Sequence, residues 1–420
     1  MRFHPHTKED RQAMLDAIGV ESVDALYAMV PESANLNKAL DLPPTKSEME
    51  VEHHLSLLAN QNAAACDRPF FLGAGCYHHH IPSTVDMIIQ RSEFLTAYTP
   101  YQPEISQGTL NVIFEFQSLI ATLTGQEIAN ASMYDGATAT LEAALMAQRL
   151  TRRKKVIVHG ALHPHYRQLM EDYWAGDDVL ASEEAADKET ACVIIQTPDF
   201  HGTPQDIADL RKECDAAGAK LVVVINEIVS LGMLPAPEAA DIVVGEAQSL
   251  GVPMGFGGPH LGFFATKKAM VRQMPGRLAG ATEDADGKRG FVLTLNTREQ
   301  HIRREKATSN ICTNQGLMAV AFTAHAALLG EEGFKRLALK NHERACALAD
   351  ALEGAGFKVE NDTFFNEFVV DVKVEAKAKV EALAEQGIIA GYALDGGRLL
   401  VAATEMTRDE DITRFVEALK

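Results

Sequence analysis

The sequence predicts an α/β fold whose large domain has a mostly parallel sheet, followed by a small α+β domain. Between residues 68 and 320, short runs rich in Val and Ile alternate with helical stretches. Strands that are apolar on both faces and alternate with helices are typical of a parallel sheet covered on both sides. After residue 320 the pattern changes to a long Ala- and Leu-rich helix and a short α+β tail.

Residues 1–66 are predicted to form a helical N-terminal arm. The segment TKEDRQAMLDAIG has a capped start. A second helix carries Met49, Val51, Leu55 and Leu58 on a helical period. So few apolar side chains give the arm little core of its own, and we expect it to wrap the main domain or a partner.

The large α/β domain is predicted over residues 67–320. Its first long helix ends at Gly125, because glycine readily adopts the left-handed conformation that ends a helix. A turn over 135–138 then opens a second helix. Buried strands follow, with the sequences KKVIVHG, ACVIIQT, KLVVVINE and DIVVGEA.

Residues 321–420 are predicted to contain a long connecting helix and the small α+β domain. The tail alternates strand, helix, strand and helix in FFNEFVVDVKV, KAKVEALAEQG, GGRLLVAATE and DEDITRFVEALK. A second domain is also expected from length, since 420 residues exceed the roughly 250–300 that one core supports.

The composition argues against several classes of protein. The net charge of −19 disfavours binding to nucleic acid or to anionic membranes, because both need a cationic face. No apolar run approaches the roughly 20 residues of a membrane-spanning helix. The six cysteines form no CxxC pair and the first residues are charged and polar, so we expect reduced thiols in a cytoplasmic protein.

Familiar catalytic and metal-binding motifs are absent. The chain has no GxxxxGK[ST], HExxH or GxSxG sequence. The histidines at 78–80 and at 159, 163 and 165 lack a Cys or carboxylate set at ligand spacing, so we interpret them as loop or pocket residues; metal binding stays open as the alternative. The turn from Asp135 to Thr138 could hold a phosphate on helix N–H groups, or it could be a plain helix cap; both interpretations stay open.

Three long segments carry a resemblance to one family. They are YTPYQPEISQG at Tyr98–Gly108, GVPMGFGGPH at Gly251–His260 and REQHIRREKATSNICT at Arg298–Thr313. On these segments the chain resembles glycine decarboxylase, the P-protein of the glycine cleavage system, and the similarity covers nearly the whole chain. The resemblance implies a large domain like that of fold-type-I pyridoxal-phosphate-dependent transferases.

The family occurs as one long chain with two homologous halves or as two separate subunits. At 420 residues this chain corresponds to the N-terminal half. The resemblance therefore implies a separate alpha subunit that joins a beta subunit of similar size in an α2β2 heterotetramer.

The same resemblance implies that this chain lacks a complete cofactor site. Gln248 stands where the family has the lysine that holds pyridoxal phosphate, and Asn226 stands where an aspartate pairs with the ring nitrogen. A glutamine cannot form a Schiff base, and an asparagine is not anionic. The pyridoxal phosphate is therefore expected on the beta subunit, with none bound covalently here.

The reaction implied by the family is decarboxylation of glycine, with transfer of the aminomethyl group to the lipoyl arm of the H-protein. It would be an activity of the complex only. Tyr98 and Tyr101 are expected to form a pocket wall at the subunit interface, and Glu104 to relay protons. A polar seam at this interface is expected from Ser309, Asn310 and Thr313.

Alternatives stay open at this stage. The chain could be a structural or regulatory scaffold for a partner that carries pyridoxal phosphate. It could also be an autonomous pyridoxal enzyme that uses another lysine, such as Lys267 or Lys268. Cys312 could react with the lipoyl disulfide or simply pack as a buried thiol. The arginines at 298, 303 and 304 could fix the seam or meet an acidic H-protein surface.

Overall fold

The computed structural model describes residues 6–36, 38–311 and 314–420, with only the backbone of His301. The chain divides into two compact units, Met1–Asn62 and Ala63–Lys420. The α-helices of the described ranges are α1 (Lys8–Ile18), α2 (Glu48–Ala59), α3 (Ser83–Ile89), α4 (Ser92–Leu95), α5 (Gln107–Thr124), α6 (Gly136–Thr151), α7 (Pro164–Tyr173), α8 (Ala208–Ala217), α9 (Gln300–Arg303), α10 (Gly316–Gly354), α11 (Ala376–Glu385) and α12 (Asp409–Leu419). The strands are β1 (Ile128–Ala129), β2 (Lys155–His159), β3 (Leu180–Ser182), β4 (Thr190–Gln196), β5 (Lys220–Ile225), β6 (Ile242–Glu246), β7 (Gly262–Thr266), β8 (Leu278–Glu283), β9 (Arg289–Thr294), β10 (Lys358–Val359), β11 (Glu367–Asp371), β12 (Tyr392–Ala393) and β13 (Arg398–Ala402).

The N-terminal unit consists of helices that local capping defines. Thr7 and Asp10 form a capping box at the start of α1, and Ser47 and Glu50 do the same for α2. Such boxes satisfy backbone N–H groups that have no partner within the helix. Neither helix has a buried residue, so local hydrogen bonds rather than a core define this unit.

The main unit is built around a seven-stranded sheet within the described residues, in the order β1-β7-β6-β5-β4-β2-β3. The strands from β2 to β6 run parallel, whereas β7 and β1 pair antiparallel at one edge. Along β5, Leu221 and Val223 pack into one core cluster, and Val222 and Val224 pack into another. Both faces of the sheet are therefore buried, and the predicted α/β fold class is confirmed.

The C-terminal region contains a separate antiparallel sheet in the order β10-β11-β13-β12. The helix α10 leads into it and is interrupted at Gly330, whose backbone is not helical. Residue Phe71 links the start of the main unit to the region of this small sheet. Its N–H donates to the Ile389 carbonyl at 2.8 Å, and its ring stacks on Phe415 at 4.4 Å between centroids.

Several details go beyond the sequence pattern. The short edge strand β3 and the β8–β9 hairpin carry no strong apolar alternation. The basic run after Arg298 is not one helix, because Arg304 has φ 55° and separates α9 from a short 3-10 turn. No helix among the described residues combines the length and apolar character needed to cross a membrane.

Candidate functional site

The tyrosine-containing loop is held by a buried arginine. Arg277 is only 2% exposed and precedes β8. Its Nη2 donates to Tyr101 Oη at 2.8 Å, and its Nη1 donates to Thr99 Oγ1 at 2.9 Å. The Tyr101 ring remains 49% exposed. A fixed cation therefore orients a phenol that is still accessible at the surface of this chain.

Tyr98 lies beside a separate small cleft of about 230 Å³. The side chain is 75% exposed and lines the cleft together with Asn314 and Gln315 at the start of α10. These two residues are fixed to the segment before α6, since Asn314 Nδ2 donates to Ala131 O and Gln315 N donates to Ser132 Oγ. Glu104, at the end of the loop, is exposed.

Where the structure describes the predicted polar seam, its side chains form hydrogen bonds with residues of this same chain. Ser309 Oγ donates to Glu142 Oε1 at 2.8 Å. Asn310 is exposed and its Oδ1 accepts from Gln300 Nε2 at 3.2 Å. Neither residue lines the Tyr98 cleft. Thr313 and Cys312 lie outside the described residues.

The basic segment near the seam is divided in two by burial. Arg298 is buried and donates from Nη2 to the Gly276 carbonyl at 2.7 Å. Burial lowers its pKa to about 10. Arg303 and Arg304 are exposed. Of these three arginines, Arg303 and Arg304 are therefore the ones that can present charge to a partner.

The two positions expected for cofactor chemistry lie at the carboxyl ends of adjacent parallel strands. Asn226 directly follows β5, and Gln248 lies two residues beyond β6. In open α/β sheets ligands bind in a crevice at this edge, and we call this edge of the sheet the cleft. Asn226 Nδ2 donates to Gln196 Oε1 at 3.4 Å, and Gln248 Oε1 accepts from Cys76 Sγ at 3.6 Å. Both side chains are neutral amides, so neither can form a Schiff base or supply an anion, and these residues do not fit pyridoxal phosphate.

A neutral histidine faces the same cleft. The Nδ1 of His163 accepts from the backbone N–H of His165, so its Nε2 carries the proton and donates to Ala74 O at 2.9 Å. Burial lowers the pKa of His163 to about 4. A Cβ added to Gly75 would lie 2.8 Å from the His163 ring. The segment 73–80 therefore covers this part of the cleft at close range.

The start of α6 uses its backbone donors internally. Thr138 N donates to Asp135 Oδ1 at 2.8 Å, so Asp135 acts as a helix cap. Gly136 N donates to Glu246 Oε2 at 3.2 Å. The other oxygen of Glu246 accepts from Gln248 N at 3.0 Å and Leu261 N at 2.8 Å. Of the two interpretations of this turn, the structure shows the helix cap.

His79 of segment 73–80 is the centre of a largely buried ion cluster. His79 Nε2 is 2.9 Å from Glu227 Oε2, and His79 Nδ1 is 3.0 Å from Glu405 Oε2. Burial alone would lower the pKa of His79, but the two carboxylates outweigh it and raise the pKa to about 10. Burial would raise the pKa of Glu405, whereas His79 lowers it to about 2.

Neither alternative lysine reaches the cleft. Because β7 runs antiparallel to β6, Thr266 pairs with Ile242 at the start of β6. Lys267 and Lys268 follow Thr266, so they lie at the sheet edge opposite Gln248. Five strand residues at roughly 3.3 Å each separate the two edges. Lys267 Nζ instead donates to Glu238 O at 2.7 Å. No group of three or more His, Cys, Asp or Glu side chains in the described ranges could hold a metal ion.

Two buried carboxylates at this edge were missed by the sequence analysis. Glu227 and Glu246 each end or follow a strand of Val and Ile residues, and both are at most 3% exposed. An acid at the end of such a strand is ordinarily expected in solvent. The sequence feature that could have identified both glutamates was their position at strand ends, because the carboxyl ends of parallel strands converge on one cleft.

Comparison with known proteins gives concordant matches. The family model "Glycine cleavage system P-protein" matches residues 1–419. Among curated proteins, the probable glycine dehydrogenase (decarboxylating) subunit 1 of Maricaulis maris is 52% identical, and that of Rhodospirillum centenum is 53% identical. Each match covers 100% of this chain and 99% of the relative.

Solved structures agree with these matches. A crystal structure of glycine decarboxylase (P-protein) of the glycine cleavage system, in inhibitor-bound form, aligns with a TM-score of 0.92 and 44% identity. It covers 100% of this chain and 99% of that chain. The glutamate decarboxylase of Lactobacillus brevis aligns with a TM-score of 0.69 at 13% identity, which shows a shared fold alone.

Proposed function

The chain belongs to the glycine cleavage system P-protein family, and on that premise we propose that it is subunit 1, the alpha subunit, of glycine decarboxylase. Its reaction is the decarboxylation of glycine, performed together with a beta subunit. The match extends along the whole chain and along almost the whole length of the subunit 1 relatives. The aminomethyl group passes to the lipoyl arm of the H-protein.

The position of Gln248 is the main support for assigning the pyridoxal phosphate to the other subunit. The family uses pyridoxal phosphate, which needs an amine at this place. Gln248 is buried and its backbone N–H is bonded to Glu246. We therefore assign the cofactor to the beta subunit and an α2β2 arrangement to the complex. This chain supplies part of the surroundings of the partner's site.

Tyr98 and Tyr101 are the proposed contribution to that site. Both side chains are accessible on this chain, and both come from one loop with two prolines. Arg277 fixes the orientation of Tyr101. A phenol held in place can donate to the glycine carboxylate and position it without surrounding it with water. Glu104, exposed at the end of the loop, is proposed to relay protons.

Reconstitution with the beta subunit tests this function. Exchange of labelled bicarbonate into glycine measures the reaction, and borohydride trapping identifies the chain that carries the cofactor. We expect exchange only when both chains are present, with the trapped cofactor on the beta subunit. Trapping on this chain, or exchange by this chain alone, would contradict the assignment.

The tyrosine role has its own variants. Tyr98→Phe and Tyr101→Phe should each lower exchange about tenfold, since one hydrogen bond of roughly 1.4 kcal/mol corresponds to a tenfold change in rate. Tyr173→Phe is the matched control, because Tyr173 is an exposed tyrosine on α7. Size-exclusion chromatography should show an intact complex in every case. Wild-type exchange by both loop variants would favour the scaffold hypothesis.

A further inference from the structure

The start of α6 resembles an anion-binding site, but the anionic groups bound there are side chains of this same protein. Backbone N–H groups at a helix start attract phosphates and carboxylates. Here the N–H of Gly136 donates to the Glu246 carboxylate, and the N–H of Thr138 donates to Asp135. The Thr138 hydroxyl donates to the Asp135 carbonyl at 3.1 Å. Two of the backbone donors that an incoming phosphate would use, the N–H groups of Gly136 and Thr138, are therefore engaged by this chain.

Backbone N–H groups from three segments of the chain hold the Glu246 carboxylate in this position. Its carboxylate accepts N–H groups from the start of α6, from Gln248 and from Leu261, the residue before β7. The residue is only 3% exposed. His260 Nδ1 lies 3.6 Å from Glu246 Oε2. Three backbone donors thus stabilise a carboxylate that would otherwise be costly to bury.

The space at this turn is also filled. A Cβ added to Gly136 would lie 2.1 Å from the Tyr166 Oη and 3.1 Å from the carbonyl carbon of Gly245. Tyr166 comes from α7 and is buried. A side chain larger than glycine is therefore excluded at this turn, and a phosphate at the Gly136 N–H would have to displace the carboxylate of Glu246. The charge and the volume of this carboxylate oppose an added anion.

We propose that Glu246 is the specificity residue that closes this cleft to phosphate-bearing cofactors, with its carboxylate in the position of a phosphate. A pyridoxal phosphate would therefore be excluded from this chain twice: Gln248 cannot anchor its aldehyde, and Glu246 occupies the place of its phosphate. The relevance to pyridoxal phosphate rests on the proposed function. The test uses this chain alone, so its outcome is independent of reconstitution.

The test measures anion binding to the full-length chain after Glu246→Ser. Inorganic phosphate and pyridoxamine 5′-phosphate serve as probes, because neither needs a lysine. Isothermal titration should detect no saturable binding to the wild type. The variant should bind phosphate at least tenfold more tightly than the wild type does, with a dissociation constant on the order of 1 mM. Pyridoxamine 5′-phosphate should compete for the same site.

Glu142→Ser is the matched control, because Glu142 is a buried carboxylate on the same helix whose Oε1 instead accepts from Ser309. It should gain no phosphate binding.

If Glu246→Ser does not fold, Glu246→Gln replaces it, since an amide oxygen can keep the Gln248 and Leu261 N–H bonds without the charge. Its affinity for phosphate should rise above that of the wild type. Saturable wild-type binding, or no gain in a folded Glu246 variant, would overturn the proposal.

Discussion

Arg277 is the residue on which the geometry of the tyrosine loop depends. It is buried, yet two of its nitrogens hold groups of the loop, Thr99 Oγ1 and Tyr101 Oη. A guanidinium can donate in two directions from a rigid plane, whereas a lysine ammonium is a single point on a flexible stem. The orientation of Tyr101 is therefore set by the shape of the arginine as much as by its charge.

Arg277→Lys should lower exchange in the reconstituted complex about as much as Tyr101→Phe does. Lysine keeps the positive charge but cannot reach both partners from one plane. The double variant Arg277→Lys/Tyr101→Phe should be no slower than the slower single variant, because both changes remove the same interaction. Bicarbonate exchange rates of the four proteins give the comparison.

Arg149→Lys controls for an arginine-to-lysine change outside the loop contacts. Arg149 is partly buried and donates to the Gln273 carbonyl at 3.2 Å. Its exchange rate per intact complex should match that of the wild type. Fully additive losses for the Arg277 and Tyr101 changes would show that the arginine acts through something other than this tyrosine.

At the scale of elements, the sequence was most informative where burial follows a simple period. The runs VIV, CVII and LVVVI became β2, β4 and β5 because residues on both faces of these strands enter the core. The hairpin β8–β9 was missed because it lies outside the main sheet, and residues 281–283 of β8 are exposed. Local patterns reveal burial but not which distant carboxylates converge.

The candidate site shows the same division. Tyr98, Tyr101 and Gln248 were proposed as site residues from motifs, which are continuous in sequence. The pairing of His79 with Glu227 and Glu405 joins residues separated by 148 and 326 positions. No period or spacing encodes such a contact, because tertiary packing creates it. The histidine run predicted a loop or pocket, and the structure supplies the partners of His79.

This ion cluster connects three elements of the main unit. His79 belongs to segment 73–80, Glu227 follows β5 of the large sheet, and Glu405 follows β13 of the small sheet. The same segment is bonded to the small domain through Ala74 N and Tyr77 Oη, which both donate to Glu367. Segment 73–80 therefore holds the two sheets together across the cleft.

His79→Gln should destabilise the chain by about 3–5 kcal/mol near pH 6, because it leaves buried carboxylates without their cation. The pKa of His79 is about 10 in the folded chain and 6.5 ordinarily. Its contribution is therefore complete below about pH 6.5 and declines as the pH rises toward 10. The pKa of Glu405 is lowered to about 2, so its contribution is lost only as the pH falls from about 4.5 toward 2.

Urea unfolding of wild type and His79→Gln at pH 6, 7.5 and 9 measures this effect. The difference in free energy of unfolding should shrink steadily across this range. His342→Gln is the control, because His342 Nδ1 donates to the Phe365 carbonyl and its Nε2 lies 3.5 Å from Cys346 Sγ, and neither of these partners is charged. A difference that is constant with pH would mean that His79 is not a buried cation.

For the whole molecule, the two units differ in whether they contain buried apolar side chains. Every buried apolar side chain among the described residues belongs to 63–420. The described arm instead exposes apolar side chains along its whole length. They are Met14, Ile18, Val23, Leu26, Tyr27, Met29, Val30, Leu36, Leu40, Leu42, Met49, Val51, Leu55, Leu57 and Leu58. An exposed apolar surface of this extent is typical of a protein–protein contact.

Removal of residues 1–62 should leave the thermal midpoint of the chain unchanged within about 2 °C, because no core side chain is lost. The same truncation should abolish stable association with the beta subunit in size-exclusion chromatography, because it removes apolar area that an interface needs.

The double substitution Leu55→Ser/Leu58→Ser should weaken association in the same way. Glu52→Gln, an exposed polar change on the same helix, should not weaken it. A large fall in the midpoint would instead mean that the arm stabilises its own chain, and full association without the arm would assign the contact to residues 63–420.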